Sequence, residues 1–224
     1  MITADVPRRL AAEGLGTWLL VTAVIGSGIM GVQLAGGNVA IALLANTLAT
    51  AAILAVLITT LAPISGAHFN PAVSAAMAAT GTLPWGIAAA YTAVQTIGGV
   101  AGAFTAHAMF GLSIWQVSLR ERSAPGQLIS ESVATFGLLF AIWGCIRRRP
   151  DAVAWVVAAY IGSAYWFTAS TSFANPAVTI ARTFTDTFAG IRPFDAPSFI
   201  AAQAAGAAVG TAVARWLYPA PLTR

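Results

Sequence analysis

Residues 14–119 contain no Asp, Glu, Lys or Arg, a run of 106 positions without a formal charge. A soluble domain carries about 25% charged residues and needs them where its surface meets water. No soluble fold accommodates such a run. The whole 224-residue chain follows suit, with 8% charged residues, 58% hydrophobic residues and a mean hydropathy of +0.79. A soluble enzyme and a nucleic-acid binder are excluded, although a pI near 10.0 would by itself invite the latter. All 11 basic residues are Arg, and they sit mainly at the ends of apolar runs. That placement marks membrane topology and not a basic binding face. The chain is a polytopic membrane protein.

A helix that crosses the hydrocarbon core needs about 20 mostly apolar residues. Six stretches qualify, at 10–34, 39–61, 84–110, 127–146, 152–169 and 196–218. Two shorter apolar stretches, 65–79 and 171–184, cannot cross, and each holds an Asn-Pro pair. Both read as re-entrant half-helices. Arg8 and Arg9 precede the first apolar run as in a signal peptide, but that run carries Glu13 and continues to Leu34, so it reads as a retained span. The predicted fold class is an all-α membrane protein, one domain over 1–224, with six transmembrane helices and two half-helices. Arginine placement sets the orientation. With both termini cytoplasmic, Arg8, Arg9, Arg147, Arg148, Arg149, Arg215 and Arg224 lie inside, while Arg120, Arg122, Arg182 and Arg192 lie outside.

A sparse polar pattern repeats along the chain. Glu13-x-x-x-Thr17 in the first span matches Glu131-x-x-x-Thr135 in the fourth. Asn70-Pro71-Ala72-Val73-Ser74 matches Asn175-Pro176-Ala177-Val178-Thr179, and Gln95-x-x-Gly98-x-x-x-Gly102 matches Gln203-x-x-Gly206-x-x-x-Gly210. Repeat one covers about 10–110 and repeat two about 127–218. Each holds three spans, an odd number, so the second copy enters the membrane upside down. Inverted repeats bring their interrupted helices together near the midplane, where the two Asn-Pro pairs are expected to meet. The four glycines are predicted to let neighbouring helices approach closely.

Asn is a favoured helix N-cap, and Pro is favoured at the first helical position, where its missing N–H costs nothing. Asn70-Pro71 and Asn175-Pro176 therefore predict two helix starts, each with roughly half a positive charge, facing one another inside the membrane. Cations and protons are repelled there, while the Asn amides can donate to a neutral solute. Glu13 and Glu131 are costly within a span, at about 2.5–3.5 kcal/mol each. Either they pair with backbone donors or they relay protons in a transporter; their symmetric placement favours the structural role. One cysteine, Cys145, excludes an intrachain disulfide and a Cys-based metal cluster. No metal, cofactor or nucleic-acid partner is expected, and no catalytic constellation is visible. His107 reads as an interfacial residue, and the Trp residues as an aromatic belt.

The segment Ser65-Gly66-Ala67-His68-Phe69-Asn70-Pro71-Ala72-Val73-Ser74 resembles the first motif of the aquaporins, the major intrinsic protein family, almost residue for residue. The likeness extends from about residue 10 to residue 218. The resemblance implies the hourglass fold in the cell's inner (plasma) membrane, a homotetramer with one pore per subunit, and passive conduction of water or small neutral solutes. It also implies that Glu13 and Glu131 hold the re-entrant loops through backbone N–H groups and that His68 shapes the first loop.

The chain departs from the family where the outer constriction forms. Most members carry an arginine as the fourth residue of the second motif; here that residue is Val178. Arg182 lies four residues later, one helical turn deeper, and is not assumed to substitute. Ungapped counting from each Asn places the other filter positions at Thr50, Ser163 and Ser172. A Thr-Ser-Ser-Val constriction is small, uncharged and rich in hydroxyls, wide enough for a polyol, unless Phe173, Tyr165 or Trp166 fills it. The Val-for-Arg change resembles a bacterial subgroup linked to arsenic resistance, whose members conduct arsenite as As(OH)3 and methylated arsenicals. The expected function is a channel for small neutral polar solutes; the alternatives are a water-selective pore and a proton-coupled secondary transporter. Ser172 also stands where many aquaporins carry a cysteine, so mercury block at that position is not expected.

Overall fold

Inside hydrocarbon a backbone must satisfy its own N–H and C=O groups, and a helix does so within one segment. The computed structural model describes residues 4–218, and among them there are helices and connecting segments but no β-strand. The helices are α1 (Val6–Leu34), α2 (Val39–Ser65), α3 (Pro71–Ala79), α4 (Trp85–Met109), α5 (Pro125–Arg148), α6 (Val153–Phe167), α7 (Pro176–Ala181) and α8 (Ala196–Leu217). Arg224, one of the topology signals, lies outside the described residues.

Helices α1, α2, α4, α5 and α8 are long and apolar enough to cross a membrane. The expected span at 152–169 is shorter than predicted. It is the 15-residue α6, led in by a 3-10 turn at Pro150–Ala152. Helix α6 ends where Thr168 turns extended, its hydroxyl hydrogen-bonded back to the Ala164 carbonyl at 2.6 Å. Helix α2 runs four residues past its predicted end, through Pro63, and stops at Gly66, whose φ of 94° suits a residue without a Cβ.

The helix pairings of the first half recur in the second. Helix α1 packs on α4 as α5 packs on α8, α3 on α4 as α7 on α8, and α4 on α7 as α8 on α3. Helices α2 and α6 pair with each other across the centre. The glycines make the tightest of these contacts possible. A Cβ on Gly98 or Gly102 would fall on the Gly14 or Trp18 carbonyl oxygen, and one on Gly206 or Gly210 on that of Ser132 or Phe136. The helices thus meet backbone to backbone, as small residues allow in membranes. Helices α4 and α8 each pack on both α3 and α7, and α3 and α7 touch each other between them.

Candidate functional site

The two half-helices begin as the sequence predicts. Asn70 is extended and its side-chain oxygen accepts from Ala72 N at 2.9 Å; Asn175 likewise accepts from Ala177 N at 3.0 Å and Val178 N at 3.3 Å. Pro71 and Pro176 follow at the first helical positions. Each Asn then reaches across to the other half of the chain. Asn70 Nδ2 donates to the Ala174 carbonyl at 2.7 Å, and Asn175 Nδ2 donates to the Phe69 carbonyl at 2.8 Å. An amide nitrogen has two N–H donors, so each Asn keeps one beyond this reciprocal bond.

The loops leading into the half-helices are strained in the same way. Ala67 and Phe69 in the first, and Thr171, Ser172 and Ala174 in the second, have φ values between 48° and 63°. A left-handed non-glycine residue costs on the order of 1–3 kcal/mol and persists only where its surroundings hold it. The holding groups are two carboxylates with no solvent exposure. Glu13 accepts from Ser65 Oγ (2.6 Å), His68 N (2.9 Å), Phe69 N (2.7 Å) and Gln95 Nε2 (2.8 Å). Glu131 accepts from Phe173 N (2.9 Å), Ala174 N (2.8 Å) and Gln203 Nε2 (2.7 Å). Gln95 also donates to Ser74 Oγ, and Gln203 to Thr179 Oγ1, tying each carboxylate to its half-helix. His68 closes the first loop through Nδ1, 3.0 Å from Ser74 Oγ.

Asn70 and Asn175 lie on the wall of one cavity of about 770 Å³. It runs along α2 from Pro63 to Thr50, roughly 20 Å at 1.5 Å per residue. The helices supply mostly apolar lining, with Leu20, Val24, Leu54, Ile58, Ile142 and Val157, and the loops supply His68, Ser172 and the two Asn. Thr50, Ser172 and Val178 line the cavity, and the Ser172 hydroxyl has no hydrogen-bond partner within the protein.

Ser163 does not line it. This residue is exposed on the outside of α6, its hydroxyl hydrogen-bonded to the Tyr160 carbonyl at 2.7 Å. The α6 face turned to the cavity carries Val157, Ile161 and Tyr165, and Tyr165 donates to Thr50 Oγ1 at 3.2 Å. A step of two residues on a 3.6-residue period turns a side chain to the far face, so Ser163 points out where Tyr165 points in. The spacing of large residues at 157, 161 and 165 was the signal that identifies the inward stripe.

Arg182 also lines the cavity, together with Phe173. The expectation that Arg182 lies deeper than Val178 is incorrect. Helix α7 starts at the midplane and runs towards the loop that opens α8, away from the termini, so the turn after Val178 lies nearer that mouth. The mouth is framed by two loops bonded to each other, through Ser118 N to the Thr183 carbonyl (2.9 Å) and Arg192 N to the Arg120 carbonyl (2.7 Å). His107, expected at the interface, is fully buried and bridges the Ile114 carbonyl and Thr185 Oγ1. Arg122 donates to the Gly190 and Ser170 carbonyls; burial, reinforced by Arg120, pulls its pKa down to about 10, so it remains charged at neutral pH. At the other end, hydrogen bonds from Arg149 hold the Asp151 carboxyl below the usual carboxylate range.

The family model described as Major intrinsic protein matches residues 1–168, ending before the second half-helix. An aquaglyceroporin, AqpS of Rhizobium meliloti (strain 1021), is 54% identical over 213 residues, which cover 95% of this chain and 91% of that protein. A probable aquaporin, AqpM of Archaeoglobus fulgidus, is 28% identical and covers 97% of this chain and 98% of its own. The X-ray structure of the aquaglyceroporin from Plasmodium falciparum superposes with a TM-score of 0.69 at 20% identity, over 98% of both chains.

Proposed function

The chain belongs to the major intrinsic protein family, and on that premise we propose that it is a passive pore for small neutral polar solutes, glycerol-sized polyols and metalloid hydroxides among them, and for water. The observation that carries this reading is the single cavity that has both midplane asparagines on its wall. A passing hydroxyl finds a spare amide donor from each half where the two half-helices meet. Two helix N-termini at the same place oppose a cation or hydronium ion. The cavity wall mixes apolar side chains with hydroxyls and amides, which suits a solute with both carbon and hydroxyl surface. As(OH)3 is uncharged at neutral pH and resembles glycerol in size and hydrogen-bonding pattern, so it falls in the same class.

The filter reading is part of the proposal. Thr50, Ser172 and Val178 contribute two hydroxyls and a small apolar group, and Tyr165 takes the place expected for Ser163. Tyr165 and Arg182 are bulkier than the predicted set, which favours a second reading, a water-selective pore. A proton-coupled transporter has less support, because Glu13 accepts from four donors and Glu131 from three. The family consists of channels and not enzymes. We further propose a homotetramer in the plasma membrane with both termini cytoplasmic. The large apolar side chains exposed on α2 and α6, such as Leu48, Val56, Trp155 and Phe167, supply surface for lipid and for neighbouring subunits.

Stopped-flow light scattering on proteoliposomes tests the reading by comparing osmotic water permeability with entry of glycerol and As(OH)3. Rapid solute entry, indifferent to an uncoupler, is the expected result. Fast water flux without solute entry selects the water pore, and accumulation abolished by an uncoupler selects the transporter.

A further inference from the structure

Arg182 is a cation within the apolar bundle, and the structure accounts for its position better than for its presence. It is 3% exposed, and among the described residues no carboxylate lies within 4.0 Å of its guanidinium. A charge in such a place is costly unless something compensates for it, and it is a functional candidate for that reason. Its Nε donates to the Ala189 carbonyl. Its guanidinium carbon stands 3.3 Å from the centroid of the Phe173 ring, a cation–π contact strengthened by desolvation. Neither partner neutralises the charge, and the remaining N–H groups of the fork have no recorded acceptor among the described residues.

Phe173 is itself held firmly. Its backbone N–H donates to Glu131, its ring meets Phe199 edge to face at 5.2 Å, and Phe173 and Phe199 pack with Ile191 into a small separate core. A second guanidinium, Arg122, lies 5.0 Å from the same ring centroid while bonded to the Gly190 and Ser170 carbonyls. The anchor of the second half-helix, the aromatic platform and the cation thus form one chain of contacts, Glu131 to Phe173 to Arg182. At its end an unpaired guanidinium shares a cavity wall with Thr50, Tyr165, Ser172 and Val178.

We infer that Arg182 is the specificity-determining cation of the outer throat, presented one helical turn later than residue 178, with Phe173 as the residue that positions it. Small, uncharged Val178 leaves the throat with one guanidinium instead of two. A fixed cation there repels sodium and hydronium ions, and its free N–H donors receive the oxygens of a neutral hydroxylated solute. The inference rests on the channel reading above but not on how broad the pore is.

Proteoliposomes containing Arg182→Ala test it, with erythritol and glycerol entry, water permeability and proton leak measured per inserted subunit. The erythritol-to-glycerol permeability ratio is expected to rise roughly tenfold, equivalent to about 1.4 kcal/mol of barrier, and the proton leak to rise with it. Phe173→Leu, which keeps the charge and removes its platform, is expected to move the ratio several-fold in the same direction, while Phe173→Tyr keeps the wild-type ratio. If Arg182→Ala does not insert, Arg182→Lys and the Phe173 pair decide by the same ratio. A wild-type ratio and leak in Arg182→Ala, or in both Arg182→Lys and Phe173→Leu, overturns the inference. Failure of the wild-type protein to admit glycerol is a separate result, which refutes the broad pore and leaves the inference standing if Arg182→Ala turns glycerol entry on.

Discussion

Glu131→Gln perturbs the second loop with almost no change of volume. In the native protein Phe173 N and Ala174 N donate to different carboxylate oxygens, at 2.9 and 2.8 Å, and Gln203 Nε2 adds a third donor at 2.7 Å. An amide has one oxygen, so at least one backbone N–H comes to face an NH2 group. A hydrogen bond to a charged acceptor contributes about 1.5–3 kcal/mol, and a buried donor left unpaired costs about 1–3 kcal/mol, which places the loss at about 2.5–6 kcal/mol. The loop cannot absorb this quietly. Three of its residues are held at positive φ, and the Ala174 carbonyl is the acceptor for Asn70. Detergent-solubilised Glu131→Gln is expected to unfold on the order of 10 °C below the wild type, and its water permeability per inserted subunit is expected to fall. A variant with native melting temperature and native water flux would refute the reasoning. Native water flux with loss of uncoupler-sensitive solute accumulation would instead identify Glu131 as a proton relay.

Three further outcomes follow from named contacts. Val178→Arg adds a second guanidinium to a throat that already has Arg182, so glycerol entry is expected to fall at least roughly tenfold while water permeability changes less; equal loss of both counts against the filter assignment. Ser172→Cys places a thiol at a residue that lines the cavity. Mercury is expected to block that variant reversibly while sparing the wild type, whose Cys145 lies off the cavity wall; block of the wild type would place a reactive group elsewhere along the pore. Gly206→Ala sets its Cβ on the Ser132 carbonyl oxygen between α8 and α5, whereas a Cβ on Gly126 meets open space. Membrane yield of Gly206→Ala is therefore expected to collapse and that of Gly126→Ala to match the wild type, and equal yields would mean that the α5–α8 contact can open.

The main architecture was legible because it depends on features that are local or periodic. A run of 106 uncharged residues leaves only membrane-spanning structure. An Asn-Pro pair starts a helix through its own cap, so both half-helices begin where the residues say. The repeated Glu, Gln and Gly positions became matching contacts because each serves one partner in a repeated pair of helices. The constriction was less legible, since it depends on rotation about helix axes and on contacts between distant segments. On α6 a step of two residues separates inward Tyr165 from outward Ser163. Where Arg182 goes depends on the platform formed by Phe173 and Phe199 and on the Ala189 carbonyl in the following loop. His107 is buried where the Ile114 carbonyl and the Thr185 hydroxyl from two later segments meet its ring. The sequence alone therefore determined a pair of capped half-helices in an inverted bundle, through local hydrogen bonding and hydrophobic period. Only the tertiary structure decided which side chains face the throat, because that follows from how the helices are turned and what the loops bring against them.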